Sequence, residues 1–436
     1  MGSVTQTIAS ILAASQVIPW DSLPEPLKSS VKGAIAADSP PDCIAFPETT
    51  EQLAAVVTCA HQNHWRLLPC GQGSKLSWGS LVSGVDLVVS TQRLTQVIEH
   101  AVGDLTVTVE AGVRFADLQA MLQQTRQFLA MDPAYVDQAT LGGIVATRDT
   151  GALRQRYGGI RDMLIGVSFV RYDGQLVKAG GRVVKNVAGY DLMKLMTGSF
   201  GTLGMLTQLT LRTYPLQETS QTVLLTGRFA AVAAVAAAVR LSPLTPVAMD
   251  LVSADLLPEE QSADCGLVLQ FQSISAGVTE QVQRLQAIAE PHTLTCQILS
   301  DNADTEFWQA LNTRLFPATA TPDAVIAKLS VLPANGIALF QALQATLAAG
   351  TWRARIHASS GIGTLYLTAT DNTPEQLQTV RTHCQTAGGY LTLLEAPAHW
   401  KTTLDPWALS PSPKQLMTRL RDQFDPERRL SPGRLL

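Results

Sequence analysis

Leu53, Val56, Val57 and Ala60 recur at helical spacing behind Thr49-Thr50-Glu51-Gln52. This predicts a helix opened by a capping box, with Thr49 as cap and Gln52 reaching back. Arg66-Leu67-Leu68 is a short apolar run into Pro69-Cys70-Gly71-Gln72-Gly73-Ser74, a strand that ends in a glycine loop. Asp86–Ser90 reads as a further strand, and the strict alternation of Leu105–Glu110 predicts a half-buried one. Phe115, Leu118 and Leu122 give a short helix one apolar face, and strands follow at Leu164–Arg171 and Met205–Tyr214. Beyond Pro215 the texture changes. Strand-like segments at 222–226, 265–272, 325–332 and 363–369 alternate with helical ones at 228–240, 278–289, 336–348 and 374–387.

Composition narrows the class. Of 436 residues, 46% are hydrophobic and 16% charged, against about 25% charged in ordinary globular chains. General disorder is therefore excluded. The net charge of −4 carries no basic footprint for nucleic acid. The longest apolar run, Phe229–Val239, is mostly alanine and reads as a buried helix, well short of the roughly 20 residues a membrane span needs. Six cysteines stand without a CxxC pair, and no leader pattern opens the chain. A soluble, cytoplasmic protein with no metal site is the expectation, peripheral to a membrane at most through partners.

The chemistry is concentrated in three glycine clusters. The first is Gly71-Gln72-Gly73-Ser74. The second is Ala139-Thr140-Leu141-Gly142-Gly143, followed by Tyr157–Asp162. The third is Val184–Asp191 with Gly198-Ser199-Phe200-Gly201-Thr202-Leu203-Gly204. Glycines beside small hydroxyls let backbone amides approach a phosphate-bearing ligand closely. A short Gly-x-Gly turn taken alone also serves ordinary structural needs. No Rossmann fingerprint or Walker loop occurs.

Together these segments resemble the FAD-binding domain of the vanillyl-alcohol oxidase superfamily, also called PCMH-type. The resemblance covers roughly residues 38 to 217, and Phe424-Asp425-Pro426…Pro432-Gly433-Arg434 is similar to that superfamily's closing FDP…NPG motif, with Ser431 where asparagine is usual. "VKNVAGYD" and "GSFGTLG" resemble the glycolate oxidase and D-2-hydroxyacid dehydrogenase branch. One departure is Thr147–Gly151, where the branch often has an asparagine-containing motif. The resemblance implies an α+β fold in which a two-subdomain FAD-binding domain is joined by an α/β cap, and the C-terminal tail returns to the FAD domain. The boundaries it suggests are a lead-in at 1–37, the FAD domain at 38–217, the cap at 218–395 and a C-terminal segment at 396–436. It further implies that Gly71, Gln72, Gly73 and Ser74 hold the pyrophosphate. Thr140, Leu141, Gly142 and Gly143 would line the flavin, with Pro133 in the preceding loop, and Gly204 and Met205 would lie near the adenine half. No histidine lies in those loops, so non-covalent FAD is expected. Lys185 and Arg161 either face the flavin or pair with surface carboxylates.

Catalytic members of the branch share a late HxGDGNxH metal motif. Here Arg355–Tyr366 keeps only His357 and Gly361, with Ser360 at the aspartate position. One ligand does not make a metal site, and His357 reads equally as a histidine at a strand end. Lys328–Pro333 resembles a cap strand of the FAD-binding accessory subunit of glycolate oxidase. That resemblance implies partners, a catalytic flavin subunit and an iron–sulfur subunit, and oxidation of a 2-hydroxyacid. An autonomous FAD oxidoreductase acting on a CH–OH donor and a purely structural flavin subunit are the alternatives. No catalytic base is assigned.

Overall fold

The computed structural model describes residues 3–36, 40–182, 189–257, 263–317 and 323–436. The chain forms two compact units. One takes in residues up to Thr150, Gly158–Pro215 and Leu409–Leu436; the other takes in Gly151–Tyr157 and Leu216–Ala408.

The first unit holds two sheets. The smaller has the order Val17–Pro19, Cys43–Ala45, Leu87–Ser90, Leu67–Cys70, with its last three strands parallel. The N-terminal stretch, read from sequence as a lead-in, thus supplies an edge strand and the helices Val4–Ala9 and Glu25–Lys32. Ile8, Leu12 and Val17 are buried with Leu53, Val56 and Val57 of the helix Thr50–Gln62 on one face of this sheet. Thr49 caps that helix through a hydrogen bond from Gln52 N at 3.1 Å. Gln52, however, accepts from Glu48 N at 2.8 Å and from Gln16 Nε2 at 2.9 Å, one residue further back than a capping box places it.

The second sheet is antiparallel throughout, in the order Val97–Ala101, Thr106–Glu110, Met205–Arg212, Leu164–Val170, Leu176–Gly180. Thr106–Glu110 is buried on both faces rather than one. Its threonines cover the second face, and Thr108 Oγ1 lies 3.0 Å from Thr210 Oγ1 on the neighbouring strand. Alternation had reported side-chain polarity correctly and exposure incorrectly. The tail returns to this unit: Leu430 bridges Leu67, with Leu67 N donating to Arg429 O and Ser431 N to Leu67 O, both at 2.8 Å.

The second unit is one eight-stranded antiparallel sheet, ordered Leu294–Ser300, Thr219–Gly227, Cys265–Ser273, Ala248–Ser253, Trp352–His357, Ile362–Thr368, Ala324–Ser330, Tyr390–Glu395. Four of these strands and the helix Asp301–Leu315 went unread in the sequence. The alanine-rich run is the helix Phe229–Leu241, buried only at Val232, Val235, Ala236 and Val239, while Leu241 is 90% exposed. Alanine is small enough to sit at a surface without marking which side is wet. Asp304 is buried against the sheet and accepts from Ser220 Oγ at 2.6 Å, Gln270 Nε2 at 3.2 Å and Thr222 Oγ1. Among the described residues no helix is long and apolar enough to cross a membrane.

Asp304→Ala leaves Ser220, Thr222 and Gln270 without their shared acceptor. The expected cost is roughly 1–3 kcal/mol, read as a lower denaturant midpoint for the transition of the second unit.

Candidate functional site

The strand Leu67–Cys70 delivers the chain into the first glycine loop, and the loop's own hydrogen bonds fix which way it faces. Cys70 O accepts from Thr91 N at 2.9 Å, Gly71 O from Ser90 Oγ at 2.8 Å and Gly73 O from Leu76 N at 3.1 Å. The carbonyls are therefore spent on the protein. The amides of Gln72, Gly73 and Ser74 donate to no acceptor among the described residues. Gly73 makes this possible with φ at +85°, a conformation side-chain-bearing residues rarely adopt. Successive free amides in such a turn form an anion-binding concavity.

The second cluster works differently. Leu141 N and Gly142 N are already committed, to Val113 O at 2.9 Å and Ala111 O at 2.8 Å. Thr140 caps the helix Leu141–Thr147 by accepting from Gly143 N at 3.2 Å. The glycines here allow contact. A Cβ on Gly71 would lie 2.2 Å from Thr140 Oγ1, and one on Gly142 would lie 2.9 Å from both Cβ and O of Ala111. The first loop and the helix start therefore touch backbone to side chain with no room for a methyl group. The third cluster is tied to the same helix, with Gly198 N on Val145 O and Phe200 N on Ala146 O.

These segments border one open cleft. Nine of the residues expected from sequence line it: Gly71, Gln72, Gly73, Ser74, Thr140, Gly142, Gly143, Gly204 and Met205. Leu141 does not; as the first residue past the Thr140 cap it turns fully into the core. Pro133 is buried and also outside the lining. Val184–Ala188 of the third cluster, Lys185 among them, lie outside the described residues. Arg161 is exposed and away from the cleft. Burial raises the Asp191 carboxyl, but hydrogen bonds and charge from Lys194, with the charge of Arg161, hold it below its ordinary value.

Sequence reasoning missed the charges. Lys75 and Arg434 line the cleft, and no carboxylate does among the described residues. Lys75 Nζ sits 2.9 Å from Asp149 Oδ2, both side chains over nine-tenths buried, and 5.7 Å from the centre of the Trp78 ring. Asp149 also accepts from Ala134 N at 2.8 Å. It reaches that position because Arg148, left-handed with φ at +51°, ends the helix and turns the chain. Arg434 arrives on the tail and donates from Nη1 to Trp78 O at 2.8 Å; burial pulls its guanidinium down to about 9. Cys70 borders the cleft, and burial, only partly offset by a hydrogen bond with Ser90, pushes its thiol up to about 12. A thiol so protonated is a poor nucleophile.

In the second unit His357 is buried at the end of its strand, its Nδ1 2.7 Å from Asp250 Oδ1 on the neighbouring strand, with Arg355 Nε 3.7 Å from Asp250 Oδ2. Among the described residues no group of three His, Cys, Asp or Glu side chains is placed to hold a metal ion.

Comparison with known proteins bears on the domain and the fold. The family model described as "FAD binding domain" matches residues 41–180. Glycolate oxidase subunit GlcD of Bacillus subtilis is 32% identical over 186 residues, 43% of this chain and 40% of that protein. Glycolate oxidase subunit GlcE of Escherichia coli is 35% identical over 151 residues, 34% of this chain and 43% of that one. The chain thus spans under half the length of either. A D-lactate dehydrogenase of Anaerostipes hadrus is 24% identical over 92% of this chain and 91% of its own. Among solved structures, p-cresol methylhydroxylase superposes with a TM-score of 0.76 at 13% identity, covering 99% of this chain and 96% of that one. The fold is therefore that of the PCMH-type flavin oxidases.

Gly71→Ala forces the overlap with Thr140 and disturbs the cap on Gly143 N. Overpacking of this kind costs roughly 1–3 kcal/mol, so thermal melting is expected to fall by a few degrees and flavin binding to weaken. Gly103→Ala, with nothing within 4 Å of the added methyl, is the matched control and is expected to change neither.

Proposed function

Residues 41–180 form an FAD binding domain, and on that footing we propose that this chain is the FAD-holding subunit of a glycolate oxidase-type complex. In this reading the complex oxidises a 2-hydroxyacid at its CH–OH carbon. The observation that carries the reading is the cleft of the first unit: among the described residues, free amides at Gln72, Gly73 and Ser74, two cations and no carboxylate in its lining. That set suits a large ligand with an anionic middle. Similarity to both GlcD and GlcE supports the hydroxyacid class and the company of other subunits.

Bound there, the flavin would supply hydride acceptance from an alcohol carbon and onward delivery of electrons. The chain's own residues do the holding. The 72–74 amides receive the diphosphate, and Thr140, Gly142 and Gly143 border the flavin side. Gly204 and Met205 lie towards the adenine side. Retention is non-covalent, since Cys70 is a buried, protonated thiol and no histidine lines the cleft among the described residues. The six cysteines are separate free thiols, so electrons pass to a catalytic flavin subunit and an iron–sulfur subunit.

A second reading has one specific observation in its favour. The D-lactate dehydrogenase aligns along nearly the whole chain, which fits an autonomous oxidoreductase for a D-2-hydroxyacid. Such an activity would draw on His357, whose Nδ1 partner Asp250 orients the ring for proton transfer at Nε2.

The purified chain is expected to be yellow and to release all its flavin into the supernatant on acid or heat denaturation. Flavin that stays with the precipitated protein overturns non-covalent retention. Anaerobic addition of glycolate or D-lactate is expected to bleach the flavin band only when the partner subunits are present. Bleaching of the lone chain, lost in His357→Gln, establishes the second reading instead. No bleaching in any mixture leaves a structural flavin.

A further inference from the structure

Lys75 is a buried ammonium whose position the FAD-binding reading does not itself require. The glycine loop can receive an anion through amides alone. Yet the residue directly after it is a lysine that lines the same cleft with a side chain only 4% exposed. A charged neighbour, Asp149 Oδ2, lies at 2.9 Å, but no acceptor among the described residues completes a hydrogen bond with Nζ. An ammonium has three N–H donors, and leaving them unused in a desolvated place is costly. Asp149, in contrast, is engaged by the Ala134 amide at 2.8 Å. The carboxylate is held by the protein, and the ammonium has donors to spare on the cleft side.

We propose that Lys75, held in place by Asp149, is the charge-reading element of the cleft and donates to the diphosphate of the dinucleotide, with Arg434 as the second cation. The proposal rests on the FAD-binding reading and adds to it a residue-level basis for selecting a doubly phosphorylated ligand. Asp149 acts as a positioning residue. It offsets part of the burial cost of Lys75, and it fixes the ammonium beside the loop because its own place is set by the left-handed turn at Arg148. The Trp78 ring, 5.7 Å from Nζ, adds a cation–π contact on another side. Arg434 is fixed through the Trp78 carbonyl, so one tryptophan serves both cations.

Titration of apoprotein with FAD, followed by quenching of flavin fluorescence, tests this with two variants chosen for their charge. Lys75→Met/Asp149→Asn removes both charges and keeps an acceptor for Ala134 N. Replacing a buried ion pair with neutral groups is often without cost to stability. Asp149→Asn alone keeps the cation and the shape. A hydrogen bond to a charged group corresponds to roughly a ten- to hundredfold change in affinity. The double variant is therefore expected to bind FAD about ten- to a hundredfold more weakly, with an apoprotein melting point no lower than that of the unmodified chain. Asp149→Asn, which keeps the ammonium but loses the charge that fixes it, is expected to bind FAD more weakly than the unmodified chain and more tightly than the double variant. Three results overturn the proposal: a double variant that binds within twofold of the unmodified chain, an Asp149→Asn chain as weak as the double variant, or an affinity loss matched by collapse of the apoprotein melting point. If the unmodified chain itself fails to bind FAD, the FAD-binding reading falls and this one with it; the three results above leave that reading intact.

Discussion

Two layers of the first unit can meet at the cleft only because two positions lack a side chain. Gly71 faces the Thr140 hydroxyl and Gly142 faces Ala111 at distances no methyl group could occupy. Everything else about the site follows from that contact. With the first loop pressed against the start of the helix Leu141–Thr147, the loop's carbonyls are drawn to Ser90, Thr91 and Leu76, and its amides are left facing the opening. The helix in turn anchors the third glycine segment through Val145 O and Ala146 O. The glycines thus divide their labour. Gly73 supplies a backbone conformation, while Gly71 and Gly142 supply proximity.

The tail belongs to the same construction. By pairing with Leu67 it continues the edge of the parallel sheet at the strand that feeds the glycine loop. Ser431 then reaches Gly201 O at 3.4 Å, and Arg434 reaches the Trp78 carbonyl. Asp425, buried behind this turn, accepts from Leu430 N at 2.7 Å and fixes where the tail bends. Serine at position 431 accordingly sits in a buried, hydrogen-bonded place with a left-handed backbone, φ at +46°. Asparagine tolerates that conformation well, which gives a physical reason for its usual presence there.

What the sequence disclosed and what it hid divide along a physical line. Glycine requirements are local: a loop that must expose amides, or a close approach, shows in the residue itself. Of the eleven residues that the resemblance implied for the cofactor, nine border the cleft, five of them glycines. Helical periodicity was equally local, and Leu53, Val56, Val57 and Ala60 are all fully buried. Pairings across the chain leave no such trace. Asp149 meets Lys75, Arg434 meets Trp78, and Asp250 meets His357 at separations that a single sequence does not encode. Strands of the second unit were missed where a buried polar residue broke the apolar run, as Asp250 does in Ala248–Ser253, or where an exposed edge carried little apolar signal, as in Leu294–Ser300.

These two kinds of residue are linked by necessity. A cradle built of glycine presents amide dipoles and nothing else; it cannot carry a formal charge of its own. An anionic ligand of high charge density then needs cations from outside the loop, and they must come from segments that geometry brings near. Lys75 follows the loop in sequence, but its burial calls for a counter-charge, which only a distant helix end can place. Arg434 requires the whole chain to be traversed and the tail to be locked onto Leu67. At the departure in Thr147–Gly151 the position of the branch's asparagine is held by Arg148, whose φ of +51° is a conformation asparagine tolerates well. The aspartate that follows balances the buried charge of Lys75, and the same Oδ2 accepts from Ala134 N, which keeps that balance from drifting into the space of the ligand.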